Sequence, residues 1–547
     1  MARLVVLLIL IFSHVVSADE VEIPDDLYPI EGASEIIYSY EFDDYPKFIE
    51  RISEDEFIVV IFDSEDVITY VYNTKTNKTE KKSEFIINED ERLIEYKVNG
   101  NKLILRFTNS ESGSFFGFGG VDGFYWRETI VDLKTFKPES SRIFYTTIDE
   151  DDFEFEDYNE DLEYADKTLD KSLFIKGLEE KEIEPEDFKY YSTTYNDTDS
   201  NRKNFFYLVI DDNDYTMYGL SSNFYKQGDL PDTKFVVLQD SVDDYENITY
   251  QYSYLDDQSN FYFVMSWMND DVEKRFISVN KITPEGKLTQ KIKEVALEID
   301  DDYYVYKRFE KISLVNNKLK LFGISRYEDG ESQELESISS MCILDIDLAT
   351  MDFDFKERHL TEDEGEVINN DDDYLKFNVI NKVIEKDNGY VVLAENNKQH
   401  VIVVTTQYGT SYTYLYYFND INLFALDKDL NVKWNNFIDR EAYLDGWIFG
   451  NPTNSYFGSN IPAQVNIVPE ITDNEISFIY STTEPEDEIR RIKYDLTTGK
   501  KIDEVSLFEN DAVPSYFPGI QYPIGNNEFV TLLNRTDYYL VRYKLLK

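Results

Sequence analysis

Three stretches of the chain combine clustered aromatic residues with glycine, asparagine and hydroxyl side chains: residues 115–126, 408–417 and 447–458. Aromatic rings stack on the apolar faces of sugars or on peptide side chains, while amides and hydroxyls hydrogen-bond to the ligand. We therefore expect ligand-binding loops here, outside the regular strands. The predicted ligand-binding residues are Trp126, Tyr412, Tyr414, Trp447 and Tyr456. The competing interpretation for each ring is ordinary packing in the core.

Catalytic chemistry has no local signature in this sequence. A glycoside hydrolase needs two carboxylates about 5–10 Å apart, but 109 acidic residues give no way to choose a pair. Neither a Gly-x-Ser-x-Gly elbow nor a His-Glu-x-x-His metal motif occurs. The only cysteine, Cys342, lies in an apolar, strand-like run, so we expect it to be buried and inert, and the chain can form no internal disulfide.

A calcium site is the next chemistry that the residues suggest. Asp427, Asp429 and Asn431 alternate as the first ligands of a calcium loop do. Val432 and Ile438, however, occupy the positions where such a loop requires glycine and a bidentate glutamate. We interpret the segment as a hairpin turn. No cofactor is expected, and weak calcium binding is the one ion interaction that the acidic charge predicts.

The first 18 residues have the three regions of a secretory signal peptide. Arg3 precedes an apolar run over residues 4–12, and small residues lead to a cleavage position after Ala18. Removal of this segment takes the net charge from −55 to −56, because it contains Arg3 and no acidic residue. We expect a secreted, extracellular protein. So acidic a surface disfavours nucleic acid as a partner, and no later apolar run is long enough for membrane insertion.

Internal repeats carry most of the structural information. A turn that leads into an apolar strand occurs eight times, at residues 54–61, 99–105, 204–210, 260–265, 316–322, 387–394, 474–480 and 526–532. Most copies are followed by a strand that ends at Asp or Asn, a short turn and a basic residue, at residues 72–78, 131–137, 282–287, 347–350, 427–433 and 494–500. The Asp can accept backbone N–H groups, and Gly499 or Asn431 can take the left-handed conformation.

These units predict an all-β fold. Small sheets cannot bury both faces alone, so we expect a single β-propeller of about eight four-stranded blades over residues 19–547, with seven blades as the nearest alternative. Residues 35–42 form a spare strand that would complete the last blade and close the ring. Residues 149–190 are acidic, then helix-like in spacing, and are predicted to be an insertion between blades.

Two turns resemble a known repeat. Residues 494–500, and residues 427–434 with Trp434, are similar to the repeat of the pyrroloquinoline-quinone-type propeller superfamily, in which Asp-x-x-Thr-Gly-Lys and a following Trp recur. Residues 387–438 also look like uncharacterised secreted bacterial proteins with propeller-type repeats. The resemblance implies a propeller fold, and it does not imply the quinone cofactor.

The leading hypothesis is a secreted, non-enzymatic propeller that binds a glycan or protein ligand through loops on one face. The missing catalytic motifs and the aromatic stretches motivate it. The alternative is a carbohydrate-active hydrolase or lyase that uses carboxylates in the central pocket. The sequence does not name the ligand, the biological process or the oligomeric state.

Overall fold

The computed structural model is an all-β chain, as predicted. It describes residues 27–44, 46–63, 66–87, 91–109, 125–145, 188–199, 202–211, 216–224, 232–239, 245–256, 258, 260–269, 274–295, 303–329, 335–360, 379–406, 409–440, 442–445, 467, 469–482, 488–510, 521–534 and 538–546. No helix occurs in these ranges, and their strands form eight antiparallel sheets. The predicted signal peptide lies outside them. So does the predicted insertion, apart from residues 188–190, which begin a strand.

The chain starts with two strands that pair far away in sequence, β1 (Leu27–Pro29) and β2 (Ser34–Phe42). Four sheets, numbered 1 to 4 in chain order, follow. Their strands are β3 (Pro46–Arg51), β4 (Glu56–Asp63), β5 (Asp66–Asn73) and β6 (Lys78–Ile86) in sheet 1; β7 (Glu91–Asn99), β8 (Lys102–Asn109), β9 (Tyr125–Asp132) and β10 (Lys137–Tyr145) in sheet 2; β11 (Phe188–Asp199), β12 (Arg202–Asp211), β13 (Thr216–Phe224) and β14 (Asp232–Gln239) in sheet 3; and β15 (Tyr245–Leu255), β16 (Phe261–Asn269), β17 (Lys274–Ile282) and β18 (Leu288–Val295) in sheet 4.

Sheets 5 to 8 have the same strand order, with additions in the last three. Their strands are β19 (Tyr303–Val315), β20 (Lys318–Asp329), β21 (Leu335–Asp347) and β22 (Phe353–His359) in sheet 5; β23 (Val379–Lys386), β24 (Gly389–Thr406), β25 (Gly409–Asp427), β26 (Val432–Ile438) and β27 (Ala442–Asp445) in sheet 6; β28 (Glu470–Ile471), β29 (Glu475–Thr482), β30 (Glu488–Asp495) and β31 (Lys501–Asn510) in sheet 7, which β1 extends; and β32 (Tyr522–Gly525), β33 (Glu528–Asn534) and β34 (Tyr538–Leu545) in sheet 8, which β2 completes.

The predicted repeats correspond to the sheets. Each of the eight turn-and-strand copies supplies the second strand of a different sheet, namely β4, β8, β12, β16, β20, β24, β29 and β33. The turns before β20 and β33 are two-residue Asn-Asn turns in which all four residues have φ between 53° and 62°. Asparagine tolerates this left-handed conformation better than most residues, so these pairs set the hairpin register.

The second predicted turn joins the third and fourth strands of a sheet. In sheets 2, 5, 6 and 7 the Asp at the end of the third strand accepts the backbone N–H two residues later. Gly499 has φ 69°, as predicted, but the prediction for Asn431 is wrong, since Leu430 takes the left-handed position with φ 65°. Leu430 is fully buried between sheets 5 and 6. Burial of that side chain, worth about 1.5–3 kcal/mol, offsets a conformational cost of about 1–2 kcal/mol.

The core lies between sheets, so the central strands are buried on both faces. In β4, Phe57, Val59 and Ile61 pack toward sheet 8, whereas Ile58 and Val60 pack toward sheet 2. All five are at most 1% exposed. A strand covered on both sides needs a continuous apolar run rather than alternation. This requirement explains the form of the repeats.

Apolar clusters join consecutive sheets in the described part of the chain. They lie between sheets 1 and 2, 4 and 5, 5 and 6, 6 and 7, and 7 and 8, and a further cluster joins sheet 8 to sheet 1. Strand β2 pairs with β34, so the spare N-terminal strand supplies the fourth strand of sheet 8. The arrangement of repeated four-stranded sheets is consistent with a β-propeller.

Side chains of third and fourth strands also bind the turns of the following sheet. Trp434 on β26 donates from Nε1 to the Thr497 carbonyl at 3.2 Å and lies flat against Gly499, where a Cβ would come within 2.5 Å of its ring. Arg358 on β22 donates to the Leu430 carbonyl at 3.4 Å, and Arg542 on β34 donates to the Thr74 carbonyl at 2.6 Å. These contacts repeat at one end of the sheets and fix how each sheet sits on the next.

Candidate functional site

The structure places three of the five predicted ligand-binding residues on strands. Tyr412 and Tyr414 lie in β25, opposite Val403 and Val401, and Trp126 lies in β9, opposite Thr108 and Phe144. The expectation that these stretches lie outside regular strands is therefore wrong for residues 409–417 and 125–126. The β-branched partners on the neighbouring strand favour an extended backbone there. Trp447 and Tyr456 lie outside the described residues.

Strands β24 and β25 continue beyond Glu395 as a long two-stranded ribbon. The described part of β23 pairs with β24 from Lys386 to Val379, which lies opposite Glu395, and β24 and β25 remain paired from Asn397 opposite Phe418 to Thr406 opposite Gly409. A register shift between β24 and β25 lies between Glu395 and Asn397. A bulge of this kind bends a strand and increases its twist. We call residues 397–406 and 409–418 the ribbon.

The connection from sheet 6 to sheet 7 returns to this ribbon. Strand β27 pairs with the outer edge of β25, with Ala442 opposite Phe418 and Asp445 opposite Leu415. The stretch that contains Trp447 and Tyr456 starts directly after β27. The second and third predicted aromatic stretches therefore start from one place on one sheet.

A buried carboxylate holds the base of this region. Glu395 Oε2 accepts a hydrogen bond from Arg440 at 2.9 Å, and the two side chains are 0% and 1% exposed. Glu395 Oε1 accepts the backbone N–H of Ile467 at 2.6 Å and a hydrogen bond from the Asn381 amide. Arg440 lies just before the connection and Ile467 near its end, so one carboxylate anchors both ends of residues 441–466. A charge so deeply buried requires partners of this kind.

Chain direction places the aromatic stretches at one end of their sheets. Short turns join the first strand to the second and the third strand to the fourth. Because neighbouring strands are antiparallel, both kinds of turn lie at the same end of a sheet. The ribbon and residues 110–124, which precede Trp126, each join a second strand to a third, and residues 441–466 join one sheet to the next. All three connections leave from the end of the sheet opposite the Asp turns.

The ribbon region also differs from the rest of the chain in charge. Residues 396–419 and residues 446–469 contain no Asp or Glu, although 109 of the 547 residues, about one in five, are acidic. In contrast, residues 361–373, which precede β23, contain seven acidic residues. This absence of acids was readable from the sequence and would have linked the two aromatic stretches. No comparable feature of the sequence would have identified Glu395 or Arg440.

The turn at Asp427, which resembles the start of a calcium loop, uses its oxygen atoms for hydrogen bonds and an ion pair within the turn. Asp427 accepts hydrogen bonds from the backbone of Asp429 and Asn431 and from the Asn431 amide, and pairs with Lys433 at 2.7 Å. Partial desolvation would raise the pKa of Asp427, but these donors outweigh it and hold the pKa well below its usual range. The described residues contain no group of three or more potential metal ligands. They also contain no helix with the length and apolarity to span a bilayer.

A second polar group lies on the first strands of sheets 1 and 8. Burial raises the pKa of Glu50 on β3, although the Tyr522 hydroxyl on β32 donates to it at 3.1 Å. Burial also raises the pKa of Tyr522, together with the adjacent Glu50 charge. A carboxyl that holds its proton more tightly suits general acid chemistry. Lys47 lies on the same strand, and burial lowers its pKa to about 8.

Lys47 makes stability depend on alkaline pH. Between about pH 8 and the ordinary lysine pKa, the unfolded chain holds a proton that the folded protein has lost. The free energy of unfolding should therefore rise with pH in this window, by at most about 1.4 kcal/mol per pH unit. Urea titrations from pH 7 to 10 should show this slope in the native protein and its loss in Lys47→Met. Lys75→Met, at an exposed turn, should keep the slope. An unchanged slope in Lys47→Met would contradict the assignment.

Comparison with known proteins gives distant likenesses of fold. No protein-family model matches the chain, and neither does any curated protein. A europium-containing methanol dehydrogenase is 9% identical with a TM-score of 0.40, over 94% of this chain and 93% of that chain. The β-propeller domain of the Trilobed protease from Pyrococcus furiosus is 9% identical with a TM-score of 0.29, over 86% and 99%. Prolyl oligopeptidase B from Galerina marginata is 8% identical with a TM-score of 0.32, over 90% and 56%.

The chain spans little more than half the length of the prolyl endopeptidase and oligopeptidase chains that it resembles, with 55% and 56% covered. At this identity and TM-score the likenesses transfer no activity.

Proposed function

We propose that this chain is a secreted, non-enzymatic β-propeller that binds a glycan or protein ligand through loops on one face. The observation that carries the proposal is the common origin of two aromatic stretches. The ribbon with Tyr412 and Tyr414, and the connection with Trp447 and Tyr456, start from one end of sheet 6, and Glu395 anchors the second at both ends. Trp126 follows a connection at the corresponding end of sheet 2.

The proposed ring has eight four-stranded blades that the N-terminal strand closes. Eight sheets follow one another along the chain, and β2 pairs with β34. The cluster that contains Phe42, Ile49 and Val530 joins the last sheet to the first, which supports closure. A closed ring leaves no long sheet edge between its blades.

The chemistry of the proposed face suits an uncharged recognition surface. Its two acid-free stretches provide aromatic, asparagine, serine and threonine side chains, which can stack on and hydrogen-bond to neutral groups. The remaining acidic surface keeps the protein soluble and repels polyanions. The proposal requires no cofactor, and nucleic acid is not a proposed partner.

A glycan array tests this proposal directly. The purified protein is applied to a broad array, once with calcium and once with chelator, beside Tyr412→Ala, Trp447→Ala and the exposed-turn control Lys75→Ala. Specific spots that both aromatic variants lose and the control keeps would support glycan binding by this face. Loss of the spots in chelator would show that binding requires a divalent cation. A blank array would redirect the proposal to protein ligands, and spots unchanged in both aromatic variants would overturn the site.

The alternative is a carbohydrate-active hydrolase or lyase with carboxylates in the central pocket. One observation favours it: burial raises the pKa of Glu50. This residue lies on the first strand of sheet 1, beside Tyr522 on the first strand of the adjoining sheet 8. First strands line the axis of a propeller, so these groups would face a ligand there. The test measures new reducing ends in a polysaccharide treated with the protein. Their formation by the native protein and its loss in Glu50→Gln would establish this alternative.

A further inference from the structure

The turn between β5 and β6 contains an asparagine in the sequence pattern that N-linked glycosylation requires. Residues 77–79 are Asn-Lys-Thr, which matches Asn-x-Ser/Thr with x other than proline. Asn77 is the last residue of the turn over residues 74–77 and has φ 48°. Residues 75–78 are all exposed. A bulky polar group attached to Asn77 would therefore extend into solvent rather than into the core.

The hydrogen bonds of Asn77 use its amide oxygen. Arg542 Nη1 donates to Oδ1 of Asn77 at 2.8 Å, and the Tyr72 hydroxyl donates to the same oxygen at 3.1 Å. A guanidinium group has donors only, so the atom that faces Arg542 is the oxygen of the amide. Nδ2 lies on the other branch of the planar amide and is directed away from these two partners. N-linked glycosylation replaces one hydrogen of Nδ2 and keeps Oδ1, so both hydrogen bonds can persist in the modified protein.

The other three copies of this sequence pattern lie in different places. Asn196 lies within β11 and Asn247 within β15, which are the first strands of sheets 3 and 4, and Asn534 is the last residue of β33. First strands line the axis of the proposed ring, so a glycan on either of the first two would extend into the central channel. Of the four, Asn77 is the one that the described part of the chain places in a turn.

We propose that Asn77 is a site of N-linked glycosylation, modified during secretion. In this reaction Nδ2 of Asn77 attacks C1 of an oligosaccharide that is carried on a lipid pyrophosphate. The new N–C1 bond replaces the C1–O bond, the lipid pyrophosphate leaves, and Nδ2 gives up one proton to a base of the transferase. The inference relies on the secretion that the proposed function includes, and it does not depend on the proposed ligand.

A glycan on Asn77 would lie away from the proposed binding face. The β5–β6 turn joins a third strand to a fourth, and turns of this kind lie at the end of the sheets opposite the connections that carry the aromatic stretches. The same turn contacts the last sheet, because Arg542 on β34 binds both Asn77 and the Thr74 carbonyl. In the proposed ring the glycan would therefore cover the contact between the last sheet and the first and leave the aromatic face open to its ligand.

Mass spectrometry of the secreted protein tests the site. The full-length chain, with residues 1–18 retained, is produced in a eukaryotic cell line and collected from the medium. An amidase that removes N-glycans in water enriched in heavy oxygen converts each occupied asparagine to a labelled aspartate, and a sample without the amidase controls for spontaneous deamidation. The peptide that contains Asn77 should carry the label. Secreted protein without a label at Asn77 would overturn this inference alone, whereas protein that stays in the cells without glycan would overturn secretion as well.

Variants of Thr79 provide a second measurement in which Asn77 is unchanged. Thr79→Ala removes the hydroxyl that the acceptor pattern requires and should abolish the label at Asn77, whereas Thr79→Ser keeps the pattern and should retain the label. Protein from the cells and from the medium is analysed, so that a variant that folds poorly still reports the occupancy of its site. Equal labelling of Asn77 in the two variants would contradict the proposal.

Discussion

A chain that begins at Asp43, and so lacks β1 and β2, is expected to lose the cooperative unfolding transition of the native protein. Strand β2 buries Phe42 and Ile36, which are 3% and 8% exposed. Loss of these two side chains alone should cost about 5–10 kcal/mol, comparable with the whole stability of many proteins. Removal of β2 also leaves one side of β34 without a partner strand.

The effect should be large because β2 contacts three sheets. It pairs with β34 in sheet 8, its Ser34 hydroxyl donates to Leu507 in sheet 7, and Tyr38 donates to Thr79 of sheet 1 at 3.0 Å. Tyr38 also stacks on Tyr72, with ring centroids 4.9 Å apart. No other described strand can replace these contacts.

Differential scanning calorimetry of three samples would test this expectation. The chain that begins at Asp43 should show a weak or absent transition, and a synthetic peptide of residues 30–43 should restore it. A chain that begins at Ile30 lacks only β1, the outer fifth strand of sheet 7, and should unfold within a few degrees of the native protein. A full transition in the shortest chain without peptide would contradict the role of β2.

Glu395→Ala is expected to lower the free energy of unfolding by about 3–5 kcal/mol, because it leaves the Arg440 charge buried without its carboxylate. It also removes the acceptor of the Ile467 N–H, so residues 442–445 should exchange their amide hydrogens faster. Urea denaturation and hydrogen exchange at pH 7 measure the two effects.

Two controls separate the buried ion pair from the loss of any carboxylate. Glu475→Ala breaks a pair with Lys493 at 3.2 Å in which the side chains are 40% and 28% exposed, and should cost less than about 1 kcal/mol. Replacement of both Glu395 and Arg440 by Met removes both charges and should recover part of the loss. A cost for Glu395→Ala no larger than for Glu475→Ala would show that the pair does not hold this region together.

The strands were predictable because each repeat contains its own turn residues and its own apolar run. Asn-Asn and Asp turns determine where a hairpin reverses, and an apolar run such as residues 57–61 can be buried only by sheets on both sides. The spare strand over residues 35–42 was predicted for the same reason, since the last unit was one strand short. Leu430 was missed because its conformation depends on packing between sheets 5 and 6.

The candidate site was predictable only in part. Clustered aromatic residues indicated the segments of the proposed face, but the sequence suggested loops where β25 and β9 continue as strands. The ribbon depends on pairing between residues 397–406 and 409–418, and the alternation of apolar and polar residues did not reveal this pairing. Glu395 is one acid among 109, and its partner Arg440 is 45 residues away. Only the folded chain distinguishes a carboxylate that anchors a connection from one in solvent.

The pairing of β2 with β34 determines how the molecule responds to tension. Ser34 lies opposite Leu545, so the two ends of the polypeptide leave the sheet at the same side. A force that separates these ends loads the hydrogen bonds between β2 and β34 one after another, as in opening a zipper, rather than all at once in shear. Once such a force has pulled β1 from β31, the pairing of β2 with β34 is therefore the next to open, before any of the hairpins inside the sheets.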